Sequence, residues 1–271
     1  MTELHAHTNR SDGRLSPEAL VALAADSGVV ELAITDHDTV AAYTPDCRAA
    51  AAERGLRLVG GIEASARAGR EDVHLLGLGI QTGHEGIAHL CRQMADRRLE
   101  RAQEMVGRLD ELGAPVQWEV VSEQAAAVVT RPHLAAALEA AGHVSGPREA
   151  FDRFLARGAA AWVPLEAPAA ADWIEAIHLA GGIAVLAHPG DWTAHRTVLG
   201  LVDQGLDGLE VCHPSHDANL QVYYQDLADR LGLVSSGGSD FHGRYPEEAD
   251  RLGRFSPPAG RLARVLERLT T

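Results

Sequence analysis

The chain has 271 residues, enough for one sizeable core built as a single α/β barrel or as two smaller domains. Its 24 basic and 38 acidic residues give a formal net charge of −14. That excludes a general basic face for duplex nucleic acid but permits a small anion held locally. All 24 basic residues are Arg, which excludes a phosphate-loop lysine and a Schiff-base lysine. The three cysteines are scattered, with no CxxC pair, as in a reducing compartment. No leader pattern opens the chain and no apolar run reaches the ~18 residues of a membrane span, so a cytoplasmic protein is expected.

The first 80 residues alternate strand and helix patterns. Thr2 to His7 reads as a short strand. Ser16-Pro17-Glu18 opens a helix, with Ser as cap, Pro in the first turn and an acid behind it, and Gly28 closes it. Val29 to Thr35 is a second strand and Ala41 to Arg54 a second helix. Leu56 to Glu63 and Val73 to Gly79 are strands three and four. Residues 81–165 lack this alternation. They carry helical patterns at Glu85 to Leu112, Glu123 to Val129, Arg131 to Ala141 and Arg148 to Ala156. Alternation resumes with helix Pro168 to Ala180, strand Ile183 to His188, helix Val198 to Gln204 and strand Gly208 to Val211. Helix Ala218 to Leu231, strand Leu233 to Ser236 and helix Arg261 to Leu269 complete it. The expected architecture is α/β. A parallel barrel domain of about seven strands is formed by residues 1–80 and 166–271, and residues 81–165 are a helical insertion domain.

The ends of those strands carry an unusual set of metal-ligand residue types. His5-Ala6-His7 puts two imidazoles on one side of an extended chain. Asp36-His37-Asp38 follows an apolar strand, with His37 as ligand and Asp36 or Asp38 as its orienter. Glu63 ends another strand, where a carboxylate can bridge two cations. His74 lies early in its strand, and Ala187-His188-Pro189 and Ser239-Asp240-Phe241-His242 follow two more. With Asp12 in Ser11-Asp12-Gly13, the set is His5, His7, Asp12, His37, Glu63, His74, His188, Asp240 and His242. Any one cluster could be a solvated turn or a satisfied core histidine. Nine donors exceed the roughly four to six of a single ion, so two or three cations are expected. In a parallel barrel the functional site lies at the C-terminal strand ends, where most of these residues fall.

Taken in order, these motifs resemble the PHP (polymerase and histidinol phosphatase) phosphoesterases, over residues 5–242 and with no ligand position missing. The resemblance implies a distorted (β/α)7 barrel and three divalent metals. Asp12, the Thr35-Asp36-His37-Asp38-Thr39 run and the insertion look most like the subgroup acting on nucleotides. That subgroup includes 5′-nucleotide and 3′,5′-nucleotide bisphosphate phosphatases and 5′-to-3′ exoribonucleases that trim short RNA. The ligand sets it implies are His5, His7, Glu63 and Asp240; Glu63, His74 and His188; and Asp12, His37 and His242. Mn²⁺ is the first candidate, with Fe²⁺ or Zn²⁺ also suited to these N and O donors. A water activated between two cations would attack phosphorus, with His37, Glu63 and Asp240 in the catalytic centre.

Substrate contacts are expected from Arg131 and His133, which open a helix in Thr130-Arg131-Pro132-His133, and from the strand-end loop holding His213 and His216. His213 or His216 could contact the phosphate or protonate the leaving group. The bland alternatives are a routine helix start and ordinary loop histidines. His84, His89, His143, His178 and His195 read as structural or surface residues. The interleaved charges of Arg92 to Arg108 read as a solvated helix face, and Gly77-Leu78-Gly79 lacks dinucleotide-binding spacing. The expected partner is a small phosphorylated nucleotide or short oligonucleotide, with no duplex and no membrane. A histidinol-phosphate phosphatase and a non-catalytic metal-binding module are the competing readings.

Overall fold

A computed structural model of the chain describes residues 1–261 and Glu267 and has an α/β architecture. Strands β1 (Thr2–Glu3), β2 (Glu31–Ala33) and β3 (Arg57–Val59) form a parallel three-stranded sheet. Strands β4 (Gly61–Ala68), β5 (Glu71–Leu78), β6 (Ile183–Leu186), β7 (Gly208–Cys212) and β8 (Val234–Gly237) form a five-stranded sheet in chain order. Isolated bridges tie the sheets together: Ala6 pairs with Phe241 beyond β8, and His37 beyond β2 pairs with Glu63 in β4.

The expected all-parallel barrel is therefore corrected. Among the described residues, eight strands divide between two sheets, with no single closed ring. β5 runs antiparallel to both β4 and β6. Only Gly69 and Arg70 separate β4 from β5, a hairpin turn too short for the crossover that parallel pairing needs.

Helix α1 (Pro17–Asp26) starts as expected, the Ser16 hydroxyl accepting from the Ala19 amide. Helix α2 (Pro45–Glu53) starts later than Ala41 because Thr44-Pro45-Asp46 repeats the same device, with Thr44 Oγ1 accepting from Cys47. Over residues 81–165, α3 (Glu85–Glu111), α4 (Trp118–Glu123), α5 (Arg131–Ala140) and α6 (Pro147–Ala150) precede a π-turn over Phe151–Leu155. The helix expected at 123–129 is thus displaced upstream to α4. β-Branched Val128, Val129 and Thr130 instead lead out of a bend to the α5 cap, where Thr130 is extended with φ −125°. Helices α7 (Ala170–Leu179), α8 (His195–Asp203) and α9 (Ala218–Leu231) complete the set. The expected last helix lies outside the described residues apart from Arg261 and Glu267. Among the described residues no helix is long and apolar enough to cross a membrane.

Two apolar cores share helix α3. Its first half buries Ile87, Leu90 and Met94 against the sheet side with Leu75, Trp173 and Ile177. Its second half buries Ala102, Met105 and Leu109 against Leu134, Leu138, Phe154 and Leu155. Arg98 and Arg101 lie at the changeover between the two cores.

Candidate metal centre

All nine sequence-derived donors converge. Glu63, 0% exposed, is the hub. Its Oε2 lies 3.5 Å from His5 Nε2, 3.2 Å from His7 Nε2 and 2.9 Å from His37 Nδ1. Its Oε1 lies 2.7 Å from His74 Nδ1 and 2.9 Å from His188 Nε2. Asp240 Oδ1 sits 3.4 Å from His5 and 3.1 Å from His7, and Asp12 Oδ1 sits 3.1 Å from His242 Nε2. The antiparallel course of β5 explains why His74 sits early in its strand. The start of β5 lies at the same end of the sheet as the ends of β4 and β6, which run opposite to it. There Ala187 N donates to the His74 carbonyl at 3.0 Å, bringing His188 beside it.

A buried layer behind the cluster fixes these side chains. His5 Nδ1 meets Glu210 Oε1 at 3.0 Å, and Glu210 Oε2 accepts from the His188 amide at 2.7 Å. With Nδ1 so engaged, His5 turns its Nε2 toward the centre. His242 Nδ1 is likewise taken by the Asp240 carbonyl at 2.8 Å, so its Nε2 faces Asp12. Asp36 accepts from the Thr8 amide, the Thr8 hydroxyl and Ser11, anchoring the loop that carries Asp12. Asp38 accepts from Ser65 N and pairs with buried Arg98, holding the loop on either side of His37. The sequence assigns Asp36 or Asp38 to orient His37; the bonds they make hold the flanking loop and its neighbours rather than the His37 ring. Gly238 is required for the approach of β8, since a methyl group there would overlap His5 and Glu3. Among the described residues, the non-glycine positions with positive φ are Asp38, His188 and Asp240, all at this site, where strain is tolerated for a purpose.

Glu210 and Arg98 were missed by sequence reasoning. The available signal for Glu210 was a lone acid inside the apolar strand Gly208–Cys212, which requires a buried partner. The Arg92–Arg108 segment is not simply a solvated face, because Arg98 is 6% exposed and bonds to Asp38 and Ser65. We expect Glu210→Ala to lower metal affinity by about 10- to 100-fold, because the ring and backbone it holds would lose their orientation. Calorimetric metal titration measures this, and unchanged affinity would count against the orienting role.

Burial alone would lower the pKa of His5 and His7. Glu210, Asp240 and Glu63 around His5 reverse this and raise it well above the usual range. Asp240 and Glu63 push His7 up to about 10. Burial would raise the carboxylates, yet the imidazoles hold Glu63, Asp12 and Asp240 well below the usual range.

The residues fit divalent cations. His5 Nε2, His7 Nε2, His37 Nδ1, His74 Nδ1 and Glu63 Oε2 are buried without hydrogen-bond partners, all in this cluster. Four groups have donor atoms within 4.8 Å of one another: His7, Asp12, His37 and His242; His37, Glu63 and His74; His5, Glu63 and His188; and His5, His213 and Asp240. These differ from the expected sets, since His7 joins Asp12 and His37 joins Glu63. His213 stands apart chemically. Its Nδ1 accepts from the Ser215 amide at 3.1 Å, so the neutral ring carries its proton on Nε2, 3.5 Å from Asp240.

The chain matches the PHP domain over residues 3–183. It belongs to the PHP family. Escherichia coli 5′-3′ exoribonuclease Rnm is 36% identical over 252 residues, covering 90% of this chain and 86% of that protein. Phosphoribosyl 1,2-cyclic phosphate 1,2-diphosphodiesterase of Eggerthella lenta is 36% identical, covering 90% and 94%. The 3′,5′-nucleoside bisphosphate phosphatase of Chromobacterium violaceum is 34% identical, covering 89% and 86%. A solved Bifidobacterium adolescentis structure, described as a metal-dependent phosphoesterase, superposes with a TM-score of 0.90 at 31% identity, covering 98% and 96%. The PHP chain is thus a metal-dependent phosphoesterase and a hydrolase.

Beside the PHP centre, a cavity of about 280 Å³ is lined by Asp12, His37 and His74 on one side. Arg98, Arg101, Arg131 and Arg157 line the other side. Arg131 lines this cavity together with Asp12, His37 and His74. His133 is not among the lining residues. Its Nδ1 accepts from the Thr130 amide at 3.1 Å and caps α5. His216 is buried with both ring nitrogens engaged, Nδ1 with the Val211 carbonyl at 2.9 Å and Nε2 with the Gly190 amide at 3.0 Å. It clamps two loops and has no free nitrogen for substrate. His89, His143, His178 and His195 bond to Gln93, Pro115, Asp207 and Tyr223, as befits structural residues.

Proposed function

We propose that the chain hydrolyses phosphate esters of small nucleotides that carry a second phosphate, from nucleoside 3′,5′-bisphosphates to short 5′-phosphorylated RNA. The observation behind this reading is the arginine-lined cavity joined to the donor cluster. One phosphate would sit at the cluster while the other is gripped by Arg131 and Arg101. Arg98 is already paired with Asp38, and Arg157 lies 3.7 Å from Asp72. Burial, then repulsion from Arg131 and Arg98, pulls the Arg101 pKa down to about 9. Burial and then Arg98 lower that of Arg131. Both are cations held too close to other cations, and a phosphate dianion would relieve that repulsion.

His5, His7, Asp12, His37, Glu63, His74, His188, Asp240 and His242 would hold two or three divalent ions, Mn²⁺ being the first candidate. When bound, such ions supply an acidified water and neutralise phosphoryl charge. Glu63, with three imidazoles near one oxygen and two near the other, would be the residue shared between ions. His213 Nε2–H, beside Asp240, would donate a hydrogen bond to charge developing on the leaving oxygen.

The test is phosphate or nucleotide release by Mn²⁺-loaded protein from a panel of substrates. The panel holds adenosine 3′,5′-bisphosphate, 5′-AMP, short 5′-phosphorylated RNA, phosphoribosyl 1,2-cyclic phosphate and histidinol phosphate. Chelator-sensitive turnover led by the bisphosphate or the RNA is expected. Turnover of histidinol phosphate alone would overturn the reading in favour of that substrate. Arg131→Ala should raise KM for the bisphosphate by about 10- to 150-fold, the cost of one charge-assisted pairing, with a smaller effect on kcat. An unchanged KM would remove Arg131 from the phosphate site.

A further inference from the structure

Trp192 is 64% exposed at the rim of the centre, four residues beyond His188. A large indole left in water beside candidate metal ligands calls for a physical account. The residues beneath it suggest one. Gly190 carries φ +56°, and a methyl group there would overlap the Trp192 ring, so the indole lies directly against glycine backbone. That backbone is fixed at both polar groups. The Gly190 amide donates to His216 Nε2 at 3.0 Å, and the Gly190 carbonyl accepts from Tyr224 Oη at 2.6 Å. Tyr224 and His216 are themselves buried, at 2% and 4% exposure, and stack on each other with centroids 5.4 Å apart. The indole thus rests on a rigid support with solvent over much of its surface.

The position is also specific. Trp192 and Thr193 line a cavity of about 170 Å³ with His74, His188, Val73 and Asp72. His74, Val73 and Asp72 are shared with the arginine-lined cavity. The donor cluster therefore has a cationic recess and an aromatic shelf side by side, joined along β5. This is the arrangement a nucleotide needs: phosphates at the cluster and the arginines, and a flat base within reach on an aromatic face. Stacking is tolerant of base identity because every base presents a π-face.

Resting on the proposed nucleotide activity, we infer that Trp192 is the stacking platform for the substrate nucleobase, held in place by Gly190, His216 and Tyr224. Trp192 is a binding and specificity residue. His216 and Tyr224 are positioning residues that act through it.

The experiment compares two substrates in two proteins: adenosine 3′,5′-bisphosphate and 1-O-methylribose 3,5-bisphosphate, which keeps the sugar and both phosphates but lacks the base. Wild-type protein should prefer the nucleotide. Trp192→Ala should lower the ratio of kcat/KM for nucleotide over base-free analogue by about 5- to 150-fold, the range for one stacked base. Trp192→Phe, which keeps an aromatic face, should restore most of that ratio. The side chain is exposed, so the Ala variant should keep its wild-type Tm, which is measured alongside. An unchanged ratio, or an equal loss on both substrates, would overturn the assignment while leaving the phosphoesterase reading intact. Wild-type turnover of neither bisphosphate would instead overturn the nucleotide reading, and the platform with it.

Discussion

Glu63→Gln is expected to lower turnover by at least about 10²- to 10³-fold, the scale on which one preorganised electrostatic group is removed from a reacting centre. The substitution is nearly isosteric, so the packing of β4 is retained. What it removes is the negative charge that five imidazoles face at 2.7 to 3.5 Å. Each Glu63 oxygen serves a different subset of histidines, so loss of the charge weakens two neighbouring cation positions together. Metal content by elemental analysis should fall with activity, while far-UV circular dichroism stays unchanged. Near-normal turnover with a full metal complement would show that Glu63 does not bridge and would dismantle the centre as described.

That experiment addresses a residue the sequence made visible. His5, His7, Asp12, His37, Glu63, His74, His188, Asp240 and His242 could be picked out because ligands must sit on few, well-spaced residue types at strand ends. Their spacing along the chain survives any error in strand direction. The direction of β5 was a different matter. A period-two pattern reads the same for parallel and antiparallel pairing, so only the shortness of the Gly69-Arg70 turn carried the information. Glu210, Arg98 and Arg101 were hard to see for a related reason. Their roles depend on which distant segments face them, and the charge pattern of α3 resembles an ordinary solvated helix until its two cores are placed. His133 and His216 illustrate the opposite failure. Each is placed near the centre by sequence, yet backbone groups take both ring nitrogens of His216 and the Nδ1 of His133. A histidine near a site is available for chemistry only if its hydrogen bonds leave a nitrogen free.

The cluster should also make metal loading and pH strongly interdependent. In metal-free protein, His5, His7 and His188 have raised pKa values, His7 at about 10. A raised folded-state pKa adds stability that is fully present below the unfolded value of about 6.5 and is lost as pH rises toward the folded value. Glu63, Asp12 and Asp240 are lowered, so their contribution is present above about 4.5 and is lost at lower pH. The pairing of His5, His7 and His188 with these carboxylates in metal-free protein is therefore strongest between about pH 4.5 and 6.5, while His37, whose pKa burial lowers, opposes folding as pH falls. Cations reverse the upper limit, because ligation requires neutral imidazoles and so gains as protons leave. Buried Glu3 and Asp36, whose pKa values burial raises, work against folding as pH rises. They do so in both forms and cancel in a comparison. The gap in Tm between Mn²⁺-loaded and chelator-treated protein should accordingly widen from pH 5.5 to 8.5. With free metal at about 1,000 times Kd, one site adds about 4 kcal/mol, or about 8 to 16 °C in a chain of this size. Calorimetry at three pH values measures the gap. A gap that is flat or narrows with rising pH would mean that these histidines do not exchange protons for metal, and the donor cluster would then be a structural ion-pair network.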